Sequence, residues 1–499
     1  MAHFPAPPRL PGRAGVIVVG GGMAGLELAG QLHRSGAGEV LVIESGPGLE
    51  SRHVSQSYPE RRAGEVVLRP ERDRHFFRGW EPVGSPHFAD GSGLRRRLGG
   101  RSLYWWGIVV PMDPWALIEP WWPASVIADL TGSRRGGASL YAQVAEDLGI
   151  PAAALSPGDT RGPGPSFSLA GLDFHPVPRA VRGTGSRWSA YSPLDYWRDP
   201  VTASPVRALD GVTIACQHTV ERVLLRDGRA AGVRAVRAGD CDPVDIRADA
   251  VVLAAGTIEN SRLVLRSRAN GGTTRQRLTG LSDHIVQGFT LTLPAGAADP
   301  AVALPAGHFV SPGDGGHRSN LFLGTEELAS GSVRVEVSTM GEHLPNERSF
   351  VEHRRAPDGT TSVHVGAALA EADEALVAEQ QQRLGDLWRS LGARYGLPAT
   401  PLVFGGFGTW RPLSGGLVTY ASALGTVNHE GCTIRLGDGL TERHEVEDVP
   451  GLYVLGPATF PRLGAANPSL TTLALSRRLA AILAGPPRHG TACPSPARG

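Results

Sequence analysis

Three glycines, Gly20, Gly22 and Gly25, stand in the spacing G-x-G-x-x-G directly after the apolar run 16–19 and ahead of a helical run that reaches residue 35. This spacing suits the binding of a dinucleotide's pyrophosphate. The first glycine makes the tight turn, the second lets backbone approach the phosphates, and the third allows close packing of the helix on the strand. The start of the helix then offers free N–H groups and a partial positive charge. A second apolar run, 40–43, ends at Glu44, about 20 residues beyond the motif, where a carboxylate accepts hydrogen bonds from ribose hydroxyls. Strand, glycine turn, helix, strand and acidic residue in register predict one βαβ unit with a bound dinucleotide, and leave FAD and NAD both open.

Composition removes other chemistries. All 49 basic residues are arginine, since the sequence contains no lysine. Schiff-base, pyridoxal-phosphate and P-loop chemistry each need a lysine amine that arginine cannot replace. Alanine, glycine, proline and arginine are abundant together, so compositional bias accounts for the absence. A net charge of +1, with no long run of one sign, lacks the footprint of a nucleic-acid or membrane-surface protein. No stretch has the length of apolar residues that a membrane span requires. Cys216, Cys241, Cys432 and Cys493 form no CxxC pair, which argues against a zinc site, a haem attachment or a disulfide framework; no metal is expected. The reading is of a soluble, cytoplasmic protein.

The elements that must position such a site follow from pattern. Residues 51–101 and 131–191 show no sustained period and read as long loops, with one helix over 139–149. Strands are predicted over 212–215, 219–226, 232–238 and 250–254, with Asp227-Gly228 as a hairpin turn. Alternating runs such as 332–338 and 362–365, between residues 286 and 369, predict an antiparallel sheet with one covered face. Helices follow over 371–395 and 469–483, separated by a strand at 452–455. The fold class is α/β, α+β overall.

Several of these segments resemble signatures of the glucose-methanol-choline (GMC) oxidoreductases. Residues 250–265, AVVLAAGTIENSRLVL, resemble the family's second signature. NHEGCTIRLG at 428–437 resembles its H-x-x-G-T-x-x-x-G block, with Cys432 where glycine is usual. GLYVLGPATFP at 451–461 and ANPSLTTLAL at 466–475 resemble its terminal strand, N/H-P element and last helix. LGGRSLYWWG at 98–107 resembles the glycine-serine loop that lies under the flavin, most closely in the pyranose-oxidase-like branch. There a histidine of this loop can bond to the flavin; the aligned residue here is Tyr104, so FAD is expected to be noncovalent. Trp106 stands where a small polar residue would face the flavin.

The resemblance implies a Rossmann-type FAD-binding lobe assembled from discontinuous segments, 15–110, 206–285 and 411–485, and a substrate lobe built on an antiparallel sheet, 111–205 and 286–410. An arm over 1–14 and a disordered tail over 486–499 complete the expected organisation. It assigns cofactor contacts to Gly20, Gly22, Gly25, Glu44, Gly99, Gly100, Ser102, Trp106, Val220, Ala255, Gly256, Ala458, Asn467 and Pro468. It also singles out His429 among 16 histidines as general base, with Asn467 as the residue that orients the hydroxyl. An imidazole can accept a hydroxyl proton near neutral pH, and the resemblance implies oxidation of an alcohol, a sugar-like or glycosidic hydroxyl, by hydride transfer to flavin. Oxygen or another acceptor then takes the electrons. Glu430 and Cys432 are read as structural, and the Asp283-His284 pair as a loop hydrogen bond. A flavin-containing lyase on the same fold, a redox-inactive flavin-binding protein and an NAD-linked enzyme are the alternatives. Oligomeric state is not readable.

Overall fold

The computed structural model describes residues 10–48, 52–57, 67, 70–84, 88, 91–132, 137–151, 164–183, 188–197, 209–240, 242–270, 276–294, 303–356, 358 and 360–485. The tail from 486 and the first nine residues of the arm lie outside them.

The apolar runs of the N-terminal βαβ unit become the strands Arg13–Val19 and Val40–Ile43, joined through the helix Met23–Arg34. They pair in parallel with each other, with Val212–Ala215 on one side and with Pro243–Leu253 on the other. Pro243–Leu253 is seven residues longer at its start than sequence pattern predicts. Its first half alternates exposed and buried residues and pairs antiparallel with Arg229–Arg237, whereas its buried second half also takes Leu452–Val454 in parallel. A strand with two unlike halves carries no single period, and only the apolar half reads as a strand. Asp227 (φ 52°) and Gly228 (φ 76°) turn the hairpin between His218–Arg226 and Arg229–Arg237, as the dipeptide predicts. The parallel strands all end at one edge, and Gly20, Glu44 and Ala254 continue the ladder there through backbone hydrogen bonds to Ile43, Ala215 and Val19. In an open α/β sheet this carboxyl edge is where ligands bind.

The alternating runs of the second half form two sheets where the sequence suggests one. Strands from Phe167–Leu169 to Val418–Ala421 build an eight-stranded antiparallel sheet centred on His284–Leu293 and Val333–Glu342. Phe350–Arg355 and Thr361–Gly366 instead pair with Arg277–Thr279 and Glu81–Val83. One face of the large sheet, with Phe289, Leu291, Leu321, Leu323, Val335 and Val337, packs on Leu384, Leu387, Trp388 and Leu391 of the helix Glu371–Tyr395. The other face, predicted to be open, is buried where Val286, Met340 and Tyr420 meet Phe322 and Val427, and where Val310 meets Ala466. Period-2 alternation thus points one set of side chains at the helix and the other at residues flanking His429 and Asn467.

Candidate active site

The three motif glycines do different work. Gly20 has φ 107°, and a Cβ on it would lie 2.6 Å from the Ala254 carbonyl oxygen; a Cβ on Gly25 would lie 2.1 Å from that of Gly20. Both positions are closed by the protein's own backbone. A Cβ on Gly22 would meet nothing within 4 Å, so the space above it is left for something else. Gly22 also precedes the helix Met23–Arg34 without any side-chain cap, so the helix end keeps N–H groups free for an anion. Glu44 accepts from the Gly21 N–H (2.8 Å) and the Gly46 N–H (2.7 Å), and burial pushes its carboxyl up.

The loop from Leu98 lies against this turn. The Gly99 N–H donates to the Gly21 carbonyl (2.7 Å), and a Cβ on Gly100 would sit 3.2 Å from the Gly22 Cα. Ser102 is fully buried, its hydroxyl donating to Gly99 (2.6 Å) and pairing with Ser192 (2.7 Å), so it braces the loop from within. Tyr104 is buried below the guanidinium groups of Arg95 and Arg97. Trp106 faces outward, 47% exposed and stacked on Trp188 at 5.4 Å. Ala255 and Gly256 (φ 93°) form the turn after Pro243–Leu253, held by Asn260, which accepts from the Ala255 N–H and donates to the Leu455 carbonyl. Val220 is a core residue of the outer hairpin, its carbonyl taken by Arg262. Ala458 is fully buried, its carbonyl accepting from the Ile434 N–H, and Pro468 stands ahead of the helix Ser469–Ala484.

His429 sits on a segment fixed from three sides. Asp283, fully buried, accepts from the N–H groups of His284 (2.8 Å), His429 (3.2 Å) and Gly425 (2.6 Å). Arg101, from the glycine loop, donates to the Asn428 carbonyl and pairs with Glu430, whose carboxylate also takes the Ser92 hydroxyl. Glu430 is therefore structural, as read from sequence: it ties the histidine segment to the loop below Gly22. The imidazoles of His284 and His429 meet edge-on, Nδ1 to Nδ1 at 2.9 Å. Burial and the Arg101 charge push His429 down to about 3, and burial next to His429 holds His284 well below its ordinary range. A donor atom from each of Asp283, His284 and His429 lies within 4.8 Å of the others. That spacing would suit a cation, but the carboxylate is occupied by backbone N–H groups and the two imidazoles by each other.

Asn467 ends a loop that is pinned as tightly. Glu342 accepts from Arg462 (2.8 Å) and from the Gly464 N–H (2.9 Å), Asp113 accepts from the Ala465 N–H (2.6 Å), and Asn320 donates to the Ala465 carbonyl. Arg462 also lies over the rings of Trp115 and Trp121. The Oδ1 atom of Asn467 is buried without a protein partner, and an unmatched buried acceptor of this kind is what a bound group would satisfy. His284 joins the two halves of the site, reaching His429 with Nδ1 and the Gly464 carbonyl with Nε2 (3.1 Å). Sequence reasoning overlooked Arg101, Glu342, Arg462 and the ring of His284. For the three charged residues the only signal was charge within otherwise apolar or glycine-rich stretches.

Two family models described as GMC oxidoreductase match the chain in order, at residues 202–286 and 345–476. The second covers the His429 segment and the Asn467 loop. Over these two stretches the chain matches the GMC oxidoreductases. Two uncharacterized GMC-type oxidoreductases from strains of Mycobacterium tuberculosis are 45% identical to it over 71 residues, 14% of this chain and 11% of theirs. Pyridoxine 4-oxidase from Mesorbium loti has a similar structure over 94% of this chain and 98% of its own, with TM-score 0.57 and 17% identity. A formate oxidase variant from Aspergillus oryzae RIB40, made to study FAD modification, is similar over 95% and 99%, with TM-score 0.61 and 14% identity. At such identities the likeness is one of fold. GMC oxidoreductases bind FAD, and the open space at Gly22, the uncapped helix end and the unmatched Asn467 oxygen fit that cofactor. Among the described residues no helix is long and apolar enough to cross a membrane.

Proposed function

We propose that this protein oxidises an alcohol to a carbonyl with noncovalently held FAD. When bound, FAD supplies the hydride acceptor. The chain's own part is to hold the hydroxyl and remove its proton. His429 takes the proton, and Asn467 orients the hydroxyl without titrating. The observation that carries the reading is the convergence of His429 and the Asn467 loop on His284, at the carboxyl edge where Gly22 leaves room for a pyrophosphate. Noncovalent attachment is supported by Tyr104, a poor linking group, packed against arginines. The helix end and Gly22 would hold the phosphates, and Glu44 the ribose.

A sugar-like hydroxyl is the substrate class we favour. Its support is the character of segment 98–107 and the rings of Trp115 and Trp121 around Arg462, beside the Asn467 loop. Residues 15–110, 206–285 and 422–485 would form the lobe around FAD. The expected start at 411 moves because Thr409–Pro412 and Val418–Ala421 pair into the eight-stranded sheet. A cytoplasmic setting belongs to the same proposal, supported by the buried free thiols of Cys216 and Cys432.

The test is anaerobic mixing of the yellow protein with a panel of alcohols. Bleaching of the flavin by one of them, and slowing of that bleaching by about 10²–10⁴ in His429→Ala with FAD still bound, is the expected result. A His429→Ala protein that bleaches as fast as wild type would place the base elsewhere, and a flavin that no alcohol bleaches would favour a lyase or a redox-inactive protein.

A further inference from the structure

We infer that His284 is a positioning residue that fixes His429 in the tautomer with the proton on Nδ1 and the lone pair on Nε2. The argument runs through donors and acceptors alone. His284 Nε2 lies 3.1 Å from the Gly464 carbonyl oxygen, which can only accept, so this nitrogen carries a proton. A neutral imidazole has one N–H, and full burial beside a second histidine keeps His284 neutral. Its Nδ1 is therefore an acceptor. The atom facing it at 2.9 Å, His429 Nδ1, must donate. A neutral His429 then presents its lone pair on Nε2, which has no protein hydrogen bond among the described residues.

This inference rests on His429 being the base and adds how it is kept ready. When the hydroxyl O–H bond breaks, the proton goes to His429 Nε2, and the hydride leaves the same carbon for the FAD of the proposed reaction. The Nδ1–H bond to His284 persists throughout and becomes charge-assisted as the ring gains its proton. His284 Nδ1 stays the acceptor of that bond while its own N–H stays on the Gly464 carbonyl. His284 thus fills, with a neutral ring, the orienting role that a carboxylate fills in a serine-hydrolase triad. The groups around the pair are Asp283, whose oxygens are held by backbone N–H groups, Arg101 with Glu430, and His343.

The test is nitrogen-15 NMR of the histidine-labelled, FAD-loaded protein, with the His429 signals assigned by their loss in His429→Asn. Wild type is expected to show a protonated Nδ1 and a bare Nε2 on His429. In His284→Leu, which offers no acceptor, the Nε2–H tautomer should appear, and flavin reduction should slow by about 10² with substrate affinity within a few-fold. His284→Asn, whose Oδ1 can accept at the Nδ1 position, should recover much of that loss; a mere cross-link to Gly464 predicts equal damage from both. A wild-type His429 with its proton on Nε2 would overturn the inference, whatever the variants do. So would an unchanged tautomer in His284→Leu. Because the tautomer is read without turnover, failure of His429 as the base would show separately, as undiminished bleaching in His429→Ala.

Discussion

Replacing Gly22 by alanine should separate the fold from its cofactor. The residue has φ −90° and ψ −163°, a conformation open to any side chain. Its Cβ would meet no protein atom within 4 Å. The ligand-free protein should therefore lose nothing, and reduced freedom of the unfolded chain should add about 0.4–1 kcal/mol of stability. The new methyl occupies the space assigned to the pyrophosphate, so FAD binding should suffer instead. Added FAD at 100 times its Kd stabilises by about 2.7 kcal/mol; if Kd rises a hundredfold, the same concentration contributes only about 0.4 kcal/mol. Gly25→Ala should behave in the opposite way. Its Cβ would lie 2.1 Å from the Gly20 carbonyl oxygen and 3.1 Å from the Val18 side chain, an overpacking that costs about 1–3 kcal/mol or more before any ligand is considered. Thermal unfolding of both variants, with and without FAD, together with flavin absorbance after purification, reads both effects. A Gly22→Ala protein that keeps the full FAD-dependent shift refutes the cofactor placement. One that is as unstable without ligand as Gly25→Ala refutes the reading of the open space.

With His429 held down to about 3, the neutral form that accepts a proton persists as pH falls until that value is approached. The flavin-reduction rate should show no His429 ionisation between about pH 5 and 7, and an inflection near 6.5 that disappears in His429→Ala would contradict this. Arg101→Met strands Glu430, 4% exposed, without its cation. The expected cost is about 3 kcal/mol, the low end for breaking a buried pair because a third of the Arg101 side chain meets solvent, and denaturant unfolding measures it. His444 is fully buried near the Arg478 charge and is pushed down to about 3. Below about pH 6.5 the unfolded chain binds a proton there that the folded protein refuses. Stability should thus fall by about 1.4 kcal/mol per pH unit towards pH 3 on this account. His444→Asn, suited to the left-handed backbone at φ 66°, should flatten that slope by this amount, and an unchanged slope would count against it.

The glycine motif was legible because its meaning is local: a turn, a helix end and a carboxylate lie within some 25 residues. Its division of labour was not, since the atoms that close off Gly20 come from Ala254, more than 200 residues away. Cys432 shows the family block and the backbone agreeing: it stands where glycine is usual and has φ 67°, a conformation glycine adopts freely. His429 could be told from 15 other histidines only by its block. Asp283-His284 was read as a loop hydrogen bond, and that is half the truth. The carboxylate does accept backbone N–H groups, but the ring of His284 is committed to partners at 429 and 464, and no spacing along the chain encodes those. The split of the alternating strands into two sheets was hidden for the same reason, because the partners of Phe350–Arg355 and Thr361–Gly366 lie as far off as Glu81–Val83.

The pairing of Leu452–Val454 with Val251–Leu253, and the packing of Ser469–Ala484 on Met23–Arg34 through the Arg477–Glu27 ion pair, set an order on the molecule's birth. The glycine turn leaves the ribosome some 400 residues ahead of the strand and helix that cover it. At about 5–20 residues per second, the nascent protein spends tens of seconds with its N-terminal sheet open on one side. Cofactor capture would then come after synthesis, and a chain cut short at residue 440 would forfeit its nucleotide site while retaining every residue of the motif.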